Sequence, residues 1–519
     1  METGQPEFFD RTGRLLQELF SETDDRVRRE LMQTPVGLTG DPSVLTSQQG
    51  EMVTALALNI LARTFARVCL LPPLGTELLG SLYEAFRRRW GFPWTELGVG
   101  MIQPNARCDL ALAVGDGSQI NAVEKLVTVG VNGWISEYEE GPGPVPVADL
   151  VNPVGAAVAV CLGVARLFAM AVRPFLSGRQ WQRMSGPERL RWSTFSYLEN
   201  DENPPIPSEL RLDDVVMVGV GGVGVAAATV LGWTPGLRGT LVLVDADRLD
   251  GTNLNRFLPV SQSTIGELKT DVMARYLSFV RPELQVLSAP MSYRAFVRRA
   301  GRPQGVVVST VDNEQARAFI QSDLPRLVID GATSGPVLGV SRHDFLDGAC
   351  LGCLHPRTVD PYAQELQMAK VLGLSLGDVI ERLADDRPLP PAELQLIARY
   401  AGLGMDFQAP PKGKPLRVFW AEDVCGKITV KTEDENEITG SAAFVSVMAG
   451  ALAAGEVIKD AANLPPLNNQ FMMQIFRGPT AEFPRRRDKD PKCRCFCSEE
   501  AMRQAYLDLH GSTQRGIIS

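Results

Sequence analysis

The sequence predicts an α/β fold built on a parallel sheet covered on both faces, and three observations predict it. From Val215 onward, "VVMVGV", "GTLVLVDAD", "QGVVVSTVDN" and "RLVIDGA" are continuous apolar runs rather than alternating ones, the pattern of strands buried on both faces. Helix-like stretches, "GGVGVAAATVLGW" and "ELKTDVMARYLSFV", sit between them and give βαβ order. The glycine-rich "GVGGVG", Gly219 to Gly224, joins the first such strand to its helix, which is the context a nucleotide-binding turn requires.

Bulk properties narrow the class. The 519 residues suffice for two to four domains, and 45% hydrophobic with 22% charged residues is a globular composition. A formal net charge of −9 argues against a nucleic-acid partner held through phosphates. The opening "METGQPEFFDRTGR" has no apolar core of the kind a secretory signal carries. The small-residue run from Val154 to Ala165 is shorter than the ~18 residues of a membrane span, so no membrane partner is expected. Five of the nine cysteines cluster as C-x-x-C and C-x-C-x-C, which without an export signal points to a metal and a cytoplasmic location.

Taken in order, residues 1–182 hold a helix-like opening, a helix near "EMVTALALNILARTFARVCLL", strands such as "CDLALAVG" and "KLVTVGVNGW", and the alanine-rich "NPVGAAVAVCLGVARLFAMAV". A polar, proline-bearing stretch makes 183–212 a linker. The βαβ region covers 213–356. Residues 357–440 read as a helical insertion followed by a cysteine-bearing, acidic segment. Residues 441–498 complete the α/β unit with a second alanine-rich helix, "SAAFVSVMAGALAAGEVIKDA", and "FMMQIF"; 499–519 form a terminal helix and tail. Two alanine-rich helices near the ends of two halves suggest one slot filled in two copies of a fold.

Chemistry concentrates in the second half. Gly219, Gly221, Gly222 and Gly224 let the backbone approach a nucleotide, and Asp245 is spaced to accept from a ribose hydroxyl, with Asp247 beside it. Asn253 and Arg256 follow at once, then Lys269 at a helix start, then Asp312 and Asn313 at a strand end. Positive charge plus a carboxylate able to hold Mg²⁺ suits phosphoanhydride chemistry, in which charge on departing pyrophosphate is neutralised. Cys350 and Cys353, with Cys493, Cys495 and Cys497, offer five thiolates to a tetrahedral Zn²⁺ that takes four. Cys425, between Val424 and the Gly426–Lys427 pair, lies outside any metal spacing, and the nearby cation favours its thiolate. Cys69, Cys108 and Cys161 read as core.

In this order, "GVGGVG", "DADRLDGTNLNR", "GELK", "TVDN", "DGATSG" and the paired cysteine sets resemble the ThiF/MoeB/E1 superfamily of adenylating enzymes over about 215–498. Size and a degenerate first half look similar to E1-like proteins of bacterial ubiquitin-like conjugation operons, some tied to antiviral defence. The resemblance implies a Rossmann-like adenylation fold, a pseudo-dimer of an inactive half (1–182) and an active half, with a structural zinc. It implies ATP on Asp245, Asn253, Arg256 and Lys269, and Mg²⁺ on Asp312. It implies Cys425 as acceptor of an acyl group from a ubiquitin-like protein, passed on to an E2-like protein. "FFDRTGRLLQ" is similar to the segment whose arginine reaches a partner's ATP site, which makes Arg11, beside Arg14, the expected counterpart. The chain would act as a pseudo-dimeric monomer or as a homodimer. The second cysteine set departs from the family's C-x-x-C, so the choice among Cys493, Cys495 and Cys497 stays open. Three other readings are a sulfur-carrier adenylyltransferase without obligatory thioester, a dinucleotide oxidoreductase, and a non-catalytic scaffold. The oxidoreductase leaves Arg256, Lys269 and Asp312 without roles.

Overall fold

The computed structural model describes residues 31, 33–71, 86–91, 108–118, 123–301, 305–355, 363–385, 387–401, 403, 407–420, 442–489 and 495–514. Arg11, Arg14, Cys425 and Cys493 lie outside them.

Two sheets organise the chain. The first contains β1 (Pro35–Gly40), β2 (Arg67–Leu70), β3 (Leu110–Val114), β4 (Lys125–Asn132), β5 (Ile135–Glu140) and β6 (Arg189–Ser193), in the order β2-β1-β3-β4-β5-β6. Its first four strands are parallel, and β5 and β6 turn back antiparallel. The second contains β7 (Leu210–Val218), β8 (Leu237–Val244), β9 (Leu284–Ala289), β10 (Val306–Ser309), β11 (Leu327–Ser334), β12 (Val337–His343) and β13 (Gln470–Gln474), in the order β13-β12-β11-β10-β7-β8-β9. Here β7 to β11 are parallel, and β12 and β13 are antiparallel. With β9 set aside, the two sheets share one strand order and one set of directions.

The helices follow the same correspondence. α1 (Gln48–Thr64) comes after β1, as α3 (Gly222–Trp233) comes after β7. α2 (Pro153–Val172) lies between β5 and β6 in the chain. α4 (Lys269–Val280) and α5 (Glu314–Ser322) complete βαβ crossovers of the second sheet. α6 (Ala363–Leu372), α7 (Leu376–Asp385) and α8 (Pro391–Tyr400) make the insertion, which has its own small core of Leu372, Val379, Leu394, Ile397, Leu416 and Phe419. α9 (Ala443–Ala461) lies between β12 and β13, the place α2 holds in the first half. α10 (Glu500–Gln514) closes the described chain.

α2 rests on β3, β4 and β5, α9 rests on β7, β11 and β12, and the two helices meet. One hydrophobic core therefore runs through both halves. Within the second half, small residues also let α9 approach α3 closely. A Cβ on Gly450 of α9 would stand 2.4 Å from the Val223 carbonyl oxygen and 2.7 Å from the Ala227 amide nitrogen of α3.

A second link between the halves is polar. Arg63 of α1 is fully buried. Its Nη2 donates to the carbonyls of Leu258 (2.8 Å) and Val260 (3.0 Å), its Nη1 to that of Leu254, and its Nε to Asn59 Oδ1 at 2.7 Å. Asn59 Nδ2 in turn donates to the Leu258 carbonyl at 3.0 Å. The "NLNRFLPV" loop of the second half thus hangs on the first helix of the first half. Burial lowers the Arg63 guanidinium to about 9, yet a guanidinium stays charged at neutral pH.

Two expectations need correction. The stretch 183–212 is more than a linker, because β6 lies within it. Its "RLRWS" alternates, with Leu190 and Trp192 buried while Arg189 and Arg191 face outward toward Glu137. Charged residues on the outer face of an edge strand hide its period of two. The apolar run at Val154 is also longer than it read. The helical stretch Pro153–Phe175 is long and apolar enough to cross a membrane by length and composition, and its apolar window is wholly buried within the protein.

The crossing at Gly450 gives a test of this packing. Gly450→Ala gains about 1 kcal/mol of helix propensity, but the methyl meets backbone that cannot rotate away, a clash costing about 1–3 kcal/mol or more. The variant should therefore have a lower thermal midpoint than wild type. Gly455→Ala is the control, because its nearest neighbours are side chains at 3.3 Å and beyond. It should be neutral or slightly stabilised in the same melt.

Candidate functional site

The site is built outward from the glycine turn after β7. Gly219 has φ +91°, a conformation that favours glycine. A Cβ on Gly224 would stand 2.1 Å from the Gly219 carbonyl oxygen, so the turn closes only with hydrogen there. Gly221 is the N-cap of α3 and supplies no side-chain cap, which leaves the first N–H groups of the helix open to an anion. A Cβ on Gly222 would meet Arg256 Cδ at 2.8 Å, so its hydrogen is the space in which Arg256 lies across the helix start.

Asp245, just past the end of β8, holds the turn from the other side. Its Oδ2 accepts from the Val220 amide at 2.7 Å and its Oδ1 from the Asp247 amide at 2.8 Å. Burial raises its carboxyl above the ordinary range, against the pull of Lys269. At Asp247 burial also raises the carboxyl, but Lys269 and then Arg417 overcome it and hold it low. Lys269 Nζ is 3.0 Å from Asp247 Oδ2, and Arg417 Nη1 is 3.3 Å from Oδ1.

These groups face one cleft of about 920 Å³. It opens beyond the carboxyl ends of the parallel strands where strand order reverses between β7 and β10, the usual position for a ligand in such sheets. Gly219, Gly221, Gly222, Asp245, Asp247, Arg256, Lys269, Asp312 and Asn313 all line it. Asn313 also caps α5, accepting from the Ala316 amide at 2.7 Å. Gly224 packs beneath the turn. Asn253 departs from the expectation. It is buried at 3% exposure, and its Oδ1 accepts from the Asp250 amide at 3.2 Å. Its amide shapes the short 3₁₀ turn Gly251–Asn253 through a reciprocal cap with Asp250 and does not line the cleft.

Among the lining residues that sequence reasoning missed, four carry carboxylate, guanidinium or imidazole groups. Arg417 arrives from the insertion, with no motif around it. Asp330, on β11 in the quoted "DGATSG", is almost fully buried and accepts from Ser309 Oγ (2.6 Å) and Arg317 Nε (3.2 Å), with His355 Nε2 at 3.5 Å. Arg317 also donates to the Val311 carbonyl at 2.7 Å. The aspartate in "DGATSG" was a signal; its arginine and histidine partners were not.

A second centre lies behind this floor. Cys350, Cys353, Cys495 and Cys497 are all buried, with their sulfurs within 4.8 Å of one another. Adjacent sulfurs stand 3.4–3.6 Å apart across the two segments, and 3.1 Å apart between Cys495 and Cys497. A tetrahedral zinc with Zn–S near 2.3 Å wants edges of roughly 3.8 Å, so four thiolates already lie near that size. Gln321 braces the cluster, donating through Nε2 to Cys350 Sγ at 2.9 Å and accepting the Gly352 amide at 2.8 Å. Of the cysteines left open by sequence, Cys495 and Cys497 join this group.

The family model described as the ThiF family matches residues 207–497, more than half of the chain. The chain belongs to the ThiF family. It is 25% identical over 502 residues to the uncharacterized protein y4jF of Sinorhizobium fredii, covering 92% of each chain. It is 31% identical over 137 residues to the tRNA threonylcarbamoyladenosine dehydratase of Haemophilus influenzae, covering 25% of this chain and 51% of that protein. It is 31% identical over 168 residues to the ubiquitin-like modifier-activating enzyme 5 of Aedes aegypti, covering 29% and 42%. The chain thus spans about half, or less, of the length of these two enzymes. Among solved structures, E. coli MccB with ATP aligns at TM-score 0.34 and 12% identity, over 71% of this chain and 97% of that one.

Two tests follow from this geometry. Asp330 is held at about 2, because Arg317, His355 and Ser309 outweigh the effect of burial. Its folded value lies below the ordinary 3.8, so the native state binds fewer protons. That stabilisation, about 2 kcal/mol, is present above pH ~4 and is lost as pH falls toward 2. In urea unfolding, the gap between wild type and Asp330→Asn should narrow steadily over that window. Metal analysis should find one zinc per chain in wild type and in Cys493→Ser. Cys353→Ser should lose the zinc and melt earlier.

Proposed function

We propose that this ThiF-family chain is an ATP-dependent activating enzyme of the E1-like kind, working in the cytoplasm. It adenylates the C-terminal carboxylate of a ubiquitin-like protein, takes the acyl group on Cys425 as a thioester and passes it to an E2-like protein. The observation that carries this reading is the convergence of Arg256, Lys269 and Asp312 on the cleft formed by the glycine turn and Asp245. The ubiquitin-like modifier-activating enzyme among the relatives supports the class of substrate.

In this reading the ribose rests on Asp245 and the triphosphate lies over the open N–H groups of α3, between Arg256 and Lys269. Asp312 would hold Mg²⁺, whose charge would offset that of the departing pyrophosphate. A carboxylate oxygen of the substrate attacks the α-phosphorus, the bond from that phosphorus to the bridging oxygen breaks, and pyrophosphate leaves. The Cys425 thiolate then attacks the acyl carbon and AMP departs, so the thioester keeps the activation. The shared order of the two sheets supports taking the first half as an inactive copy, a pseudo-dimer in one chain with Arg11 reaching the ATP site. The zinc is structural, tying the segment after β12 to the segment before α10.

The test incubates the protein with Mg·ATP and a ubiquitin-like protein encoded beside it, and resolves the products on a non-reducing gel. Wild type should give a thiol-sensitive adduct that both Cys425→Ala and Asp312→Ala lack, with pyrophosphate release lost in Asp312→Ala. Pyrophosphate release that persists in Cys425→Ala, with no adduct in wild type, would move the chain to the sulfur-carrier adenylyltransferases. Absence of ATP turnover with a partner that binds would reduce it to a scaffold.

A further inference from the structure

Among the described residues, the insertion reaches the nucleotide cleft through one side chain, that of Arg417. Arg417 sits in the short helix Leu416–Phe419, whose two end residues are buried in the insertion's own core. Its guanidinium leaves that core and meets Asp247 at 3.3 Å, on the oxygen that Lys269 does not hold. Asp247 is about half exposed, and Arg417 lines the cleft with it.

Charge explains why this contact matters. In the outer cleft Arg256, Lys269 and Arg417 stand against Asp245, Asp247 and Asp312, while Arg317 and Asp330 pair with each other below. Among the described residues, three cations face three carboxylates there. Without Arg417 the carboxylates are in excess where a polyanion is to sit. Asp247 itself is shared by two cations, one on each carboxylate oxygen. An ion pair this exposed is weakly held, whereas a guanidinium binds phosphate oxygens through a planar two-pronged fork. A phosphate near Asp247 offers the same fork more negative charge than the carboxylate does.

We propose that Arg417 is a phosphate ligand of the nucleotide site, exchanging Asp247 for the triphosphate when ATP binds and so coupling the seating of the insertion to nucleotide occupancy. This rests on the reading of the cleft as an ATP site. The coupling is reciprocal: a seated insertion tightens ATP, and ATP holds the insertion against the cleft.

The experiment measures Mg·ATP and adenosine binding by titration calorimetry in wild type, Arg417→Ala and Arg417→Lys, with limited proteolysis of the insertion alongside. Arg417→Ala should weaken Mg·ATP about 10- to 100-fold and leave adenosine unchanged, with an unaltered thermal midpoint in the absence of nucleotide. Arg417→Lys should recover part of the loss. ATP should slow cleavage of the insertion in wild type and not in Arg417→Ala. Equal weakening of both ligands marks a role in shape alone and overturns the proposal, as does unchanged ATP affinity. If wild type binds neither ligand, the ATP site itself falls and this proposal with it. If wild type binds ATP and only the Arg417 effects are missing, the ATP site stands.

Discussion

A single guanidinium sealed between two halves sets the terms for the rest of the molecule. Arg63 is buried against three carbonyl oxygens and one amide oxygen. Moving a charge from water to such a place costs several kcal/mol, and hydrogen bonds to a charged group return about 1.5–3 kcal/mol each. Only several acceptors together make the position tenable. The three carbonyl acceptors lie on the loop that also carries Arg256, so the first half positions a cleft to which its described residues contribute no lining.

The cleft follows from sheet topology. Strand order reverses between β7 and β10, leaving an opening over their carboxyl ends, and each strand around it ends in a residue suited to phosphate or metal. Gly219 directly follows β7, Asp245 directly follows β8, and Asp312 lies shortly after β10. The insertion then reaches the cleft from outside. The β12–β13 edge gives the floor an open face, where Ser341, Gly339 and Met472 continue the lining beyond the nucleotide turn.

What could be read from the chain was what is local in it. The glycine turn, the Asp245 strand end, the Lys269 helix start and the C-x-x-C pair each announce themselves within a few residues, because turn geometry and metal spacing are short-range demands. Residues that work through partners far along the chain were silent. Arg63 meets the carbonyl of Leu258, 195 positions away, and Arg417 meets Asp247, 170 positions away. Asp330 was within a quoted motif, yet its meaning depends on Arg317 and His355 arriving from α5 and from the segment after β12. β6 was hidden by its outward arginines. Asn253 misled because an asparagine beside a phosphate and an asparagine closing a turn share one chemistry; only burial separates them.

The central position of α2 has a consequence for how the protein is made. Its apolar stretch is completely enclosed, and part of that enclosure is α9, which the ribosome delivers roughly 270 residues later. At about 5–20 residues per second that is a wait of about 15–50 s. Throughout it, the newly made first half presents the α9-facing side of a helix of mean hydropathy 2.1. A first half released at about residue 200 would therefore carry an apolar helix face that its own strands leave open.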